Sequence, residues 1–157
     1  MTLSAGTQGA VQALWTVGAR YGREVSPSAG ADLLEDEDPL GPPEATTVEL
    51  AGVPVVTVRL FRDLRDLVTI DGIIEFEVPR KDTAAVVESV LAGNARLSGA
   101  SGTRWNTIRA TLLAPFVPYV ALVGQVVVVT VPGGARYEQP VPYPLGGSVW
   151  LSELPST

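Results

Sequence analysis

Glu75 and Glu77 stand two residues apart in the run Ile73-Ile74-Glu75-Phe76-Glu77-Val78, and Asp66 opens the apolar run just before it. If the two runs pair, three carboxylates share one patch. Such a patch is the equipment of a glycosidase-type acid/base pair or of a divalent-cation site. A plainer role competes with it. The outer face of a hairpin must be polar, and Arg59, Arg62, Arg65 or Arg109 can meet these carboxylates across strands.

Other catalytic equipment is scarce. The chain has no His and no Cys, and Lys81 is its single lysine. This excludes zinc sites built on Cys or His, thiol nucleophiles, disulfides and Ser-His-Asp triads. A Schiff-base lysine needs a desolvated pocket, whereas Lys81 sits in the charged run Arg80-Lys81-Asp82. Neither GxxxxGK nor a GxGxxG following a strand occurs. The reading is therefore of a non-enzyme with no cofactor and no metal.

The side chains that point instead to a partner are the acidic run Glu35, Asp36, Glu37 and Asp38 and the aromatics Trp105, Tyr137, Tyr143 and Trp150. The run does not fit an EF-hand loop, because Pro39 and Leu40 break the ligand spacing. Tryptophans act mainly as core or interface anchors. Net charge is -6, which argues against phosphate-neutralising contacts to nucleic acid and against an anionic membrane surface. Apolar residues make up 46% of the chain and mean hydropathy is +0.25, so more surface wants burial than one small domain hides. Ten arginines to one lysine, with thirteen prolines, is a pattern recurrent in thermophile proteins.

The elements that must position these residues follow from periodicity. Residues 8–22 predict a helix whose face carries Val11, Leu14, Trp15, Gly18 and Tyr21, capped at Gly22. Residues 23–47, rich in Pro, Gly, Ser and acid, read as an extended loop or arm. Val53–Phe61 alternates as a strand with Val56, Val58 and Leu60 on one face. Asp71-Gly72 between two apolar runs predicts a hairpin with a two-residue turn. That register pairs Ile70 with Ile73, Val68 with Glu75 and Asp66 with Glu77, and puts Leu67, Ile74, Phe76 and Val78 in the core.

A second helix follows, N-capped by Asp82, with Ala85, Val86, Ser89, Val90 and Leu91 inward up to Gly93-Asn94. Residues 98–104 read as a flexible loop and Trp105–Leu113 as a strand. Residues 110–131 carry no charge and are long enough for a membrane span, yet Pro115, Pro118, Gly124 and the β-branched 126–131 favour two buried strands. Residues 132–147 read as Pro-rich, polyproline-like and exposed, and Ser148–Leu151 as a short last strand.

The whole is a single α+β domain, 1–157. Two helices lie against a mainly antiparallel sheet, open or closing toward a barrel, with two long Pro/Gly-rich arms. The order helix, acidic loop, strand, hairpin, helix is similar to that of phage tail-terminator proteins, a likeness of topology carried by no motif. The expected function is a structural or assembly protein forming a homo-oligomer, such as a capsid-decoration or head–tail or tail joining protein of a virion. Its partners would be copies of itself and another protein of the same assembly. Alternatives are an acidic inhibitor or immunity protein covering a basic partner, a small-molecule binding domain walled by 110–131, and an enzyme running on carboxylates alone. No positive charge precedes Arg20, so no secretory signal is expected.

Overall fold

The computed structural model describes residues 4–31, 44–62, 64–99, 125–141 and 148–156. Among them the order is α1 (Ala5–Arg20), β1 (Val25–Ser26), β2 (Glu44–Leu50), β3 (Val56–Phe61), β4 (Arg65–Ile70) and β5 (Ile74–Pro79). Then follow α2 (Arg80–Leu91), β6 (Ala95–Ser98), β7 (Val126–Thr130), β8 (Arg136–Pro140) and a short α3 (Val149–Glu153). The expected α+β class is what is seen. Two open antiparallel sheets take the place of a barrel: five strands in the order β1-β2-β3-β4-β5 and three in the order β6-β7-β8.

Helix α1 begins at Ser4, whose Oγ accepts from the Thr7 N–H at 3.3 Å. It ends at Gly22, where φ is +62° and the Arg23 N–H reaches the Gly18 carbonyl at 2.8 Å. This is a Schellman close, as the glycine predicts. Val11, Leu14, Val17 and Gly18 are buried, while Trp15 is half-buried and donates through Nε1 to the Pro27 carbonyl at 2.9 Å. A side chain on Gly18 would overlap Val25 Cγ2, so close packing against β1 needs the glycine.

The segment 23–47 is not wholly an arm. Val25 and Ser26 pair with Leu50 and Glu49, and 44–47 already belong to β2. Strand β3 starts at Val56, later than Val53, and buries alternate residues as expected.

The β4–β5 hairpin forms with a corrected register. Asp71 and Gly72 both have positive φ (50° and 67°) and the Ile73 N–H bonds the Ile70 carbonyl at 3.0 Å. The ladder nonetheless pairs Ile70 with Ile74, Val68 with Phe76 and Asp66 with Val78, leaving Ile73 as an extra residue in the turn. The expected register would have set Val68 against Glu75. The one-residue shift puts Val68, Ile70, Ile74, Phe76 and Val78 on one buried face and moves Leu67 to the half-exposed one.

Helix α2 is N-capped by Pro79 rather than Asp82; its first amide, Arg80 N–H, is satisfied by the Leu64 carbonyl at 2.8 Å. Asp82 sits in the first turn, where the helix dipole favours a carboxylate. Both helices pack on the same side of the large sheet, and α2 also meets β7. Val11, Leu14, Val58, Leu60, Val86, Val90, Val127 and Val129 thus join one core.

Two expectations fail in the C-terminal part, and a further strand is found there. Residues 95–98 form β6, which alternation did not reveal. Arg136–Pro140 of the Pro-rich segment is a strand paired along β7, not a free polyproline stretch. Ser148–Leu151 opens helix α3, with Ser148 as N-cap accepting from the Leu151 N–H at 3.0 Å. The expected strand Trp105–Leu113 and residues 110–124 of the uncharged run lie outside the described residues. Among the described residues no helix is long and apolar enough to cross a membrane.

Candidate functional site

The register decides the fate of the three carboxylates. Asp66 shares parity with Val68 and Ile70, so it points inward, while Glu75 and Glu77 point outward. The expected three-carboxylate patch does not assemble. Glu77 pairs with Arg65 at 2.7 Å, and both side chains are more than 60% exposed. Such a pair contributes about 0–1 kcal/mol. It is a solvated strand face.

Asp66 is instead the centre of a buried polar knot. Its carboxylate accepts Arg80 Nε on both oxygens at 2.8 Å, the Thr83 hydroxyl at 2.6 Å and the Phe61 N–H at 3.4 Å. Arg80 goes on to donate to the Phe61 carbonyl at 2.5 Å and to Thr7 Oγ1 at 3.2 Å. The Asp66 side chain is fully buried and that of Arg80 is 10% exposed. The knot ties the start of α1, the β3–β4 turn and the β5–α2 junction together. These bonds join three parts of the fold around a side chain that solvent does not reach. Sequence reasoning missed Arg80 and Thr83; the signal was their i, i+3 spacing at a helix start beneath an Asp of inward parity.

Asp71 does a second structural task. Its Oδ1 accepts the Val55 N–H at 2.9 Å and its Oδ2 accepts the Ser148 hydroxyl at 2.6 Å. One turn residue therefore fixes the β2–β3 connection and the start of α3. Trp150, expected to be an interaction residue, is 7% exposed and belongs to the core. Tyr137 is half-buried on β8 and its hydroxyl donates to Asp82 Oδ2 at 2.7 Å, which fastens the small sheet to α2. Burial first, then the hydrogen bond to Asp82 and its negative charge, push the Tyr137 phenol up to about 12. Glu35, Asp36, Glu37, Asp38, Trp105 and Tyr143 lie outside the described residues.

The open feature is on the small sheet. Its side away from the core carries Arg96, Val128 and Glu138 in one cross-strand row and Thr130 and Arg136 in the next. Asn94, Arg96, Ser98, Val128, Thr130 and Arg136 line a groove of about 510 Å³. Arg136 Nε bonds Glu138 at 2.6 Å, and Arg96 is exposed. Donors dominate this groove: two guanidiniums, an amide and two hydroxyls. It can hold carboxylates or another anion. Among the described residues no three His, Cys, Asp or Glu side chains are gathered for a metal ion. No protein-family model, curated protein or solved structure matches the chain.

Proposed function

We propose that the chain is a non-enzymatic structural protein that works as a homo-oligomer, in an assembly such as the head–tail or tail joint of a virion. The observation that carries this reading is the use made of polar groups. The one fully buried carboxylate side chain among the described residues is bound by Arg80 and Thr83, and the remaining clusters hold elements to each other. High apolar content supports burial against further copies. The succession of α1, the β2–β5 meander and α2 supports the likeness to tail-terminator topology.

Light scattering coupled to size exclusion tests the reading. A discrete multiple of the 16.5 kDa chain mass at tens of micromolar is the expected result. A monomer throughout that range overturns it.

A further inference from the structure

The groove on the small sheet sits in a chain whose net charge is -6, yet its walls present two arginines and neutral donors. Across β7, Arg96 stands opposite Val128 and Arg136 opposite Thr130. Two strand spacings sideways and two residues along place their Cα atoms about 12 Å apart. That spread lets the two guanidiniums address two anionic groups at once. It suits carboxylates spread along a peptide, since four extended residues cover about 10 Å from first to last Cα. Arg96 is exposed and has no carboxylate partner among the described residues, while Arg136 is shared with Glu138.

The same chain contains one run of four consecutive acids, Glu35-Asp36-Glu37-Asp38. We propose that the Arg96–Arg136 groove docks the 35–38 acidic run of a second copy, giving a head-to-tail contact. The groove and the run are different parts of the chain, so the contact is heterologous and closes into a ring or continues as a stack. This inference rests on the homo-oligomer reading and names the surfaces that would make it. Its strength would come from opposite charge and bidentate guanidinium–carboxylate pairing, with Val128 and Thr130 as the floor.

Charge reversal in the full-length chain tests it. Arg96→Glu with Arg136→Glu reverses the groove, and Glu35→Lys, Asp36→Lys, Glu37→Lys and Asp38→Lys reverse the run. Arg96 and Arg136 are exposed, and a far-ultraviolet dichroism melt checks that each variant folds. Each reversed chain alone should self-associate at least tenfold more weakly than the wild type in sedimentation. An equimolar mixture of the two should regain the wild-type mass, because each groove then meets an opposite run. Raising salt to 0.5 M should weaken wild-type assembly as well. Reversed chains that assemble like the wild type overturn the docking while leaving the oligomer intact. A monomeric wild type overturns both.

Discussion

The two sheets of this protein treat charge in opposite ways. In the large sheet, the charged residue that points inward, Asp66, is surrounded by Arg80, Thr83 and the Phe61 amide, while outward residues such as Glu77 pair loosely in water. In the small sheet the inward side carries no charge, with Val127 and Val129 buried and Tyr137 bonded to Asp82 of α2, and the charges lie in an open groove on the other side. The first arrangement fixes a fold. The second leaves unspent binding capacity. Buried polar groups add specificity only when every partner is present, and an exposed cation is free to meet something else.

Removing one partner from the knot should have the largest effect. Arg80→Ala leaves the Asp66 carboxylate buried without its cation and should cost about 3–5 kcal/mol in urea unfolding. The double variant Asp66→Leu with Arg80→Met should recover most of that loss, since no charge is then stranded. A loss below about 1 kcal/mol in the single variant would mean that the knot is not the anchor of the large sheet.

The link between the sheets should matter less. Tyr137→Phe removes the hydroxyl bound to Asp82 and should cost about 1 kcal/mol near neutral pH. Its pH signature is more telling. The folded phenol lies at about 12, above the ordinary tyrosine value near 10 in the unfolded chain. The stability it contributes is therefore fully present below pH 10 and lost as pH rises through 12. Wild type should show this loss in alkaline melts, and Tyr137→Phe should lack that component of it.

The smallest effect belongs to the outer strand face. Glu77→Ala removes an exposed ion pair and should change stability by less than about 0.5 kcal/mol in the same urea assay. A larger cost would show that the solvated face of the large sheet carries more than surface polarity.

Legibility in the sequence follows the same division. The large sheet is a meander of neighbours, so β3, the hairpin and α2 could be read from local alternation, the Asp71-Gly72 turn and the Gly93 close. Its register could not. The turn has the positive φ values that Asp-Gly announces, but the extra residue Ile73 is decided by which parity packs against the helices. That single residue turned Asp66 from a surface carboxylate into the hub of the core.

The small sheet joins residues 95–98 to 126–140, and its strands are four or five residues long. Periodicity is weak over so few residues. Extended β and polyproline backbones also share one broad region with nearly equal ψ, so the ladder with β7 is what makes 136–140 a strand. The groove arginines were invisible for the same reason, since Arg96 and Arg136 are forty residues apart in the chain. Helix α3 spans five residues, too few to show a period, although Ser148 is an ordinary N-cap.

Hydroxyl-radical footprinting of the protein when concentrated and when diluted compares the two sheets directly. At high concentration, protection should rise in peptides covering 94–98 and 126–136, while Leu67 and its neighbours on β4–β5 keep their reactivity. Unchanged labelling of the small sheet, or protection confined to the face that carries Glu75 and Glu77, would contradict assembly through the arginine groove.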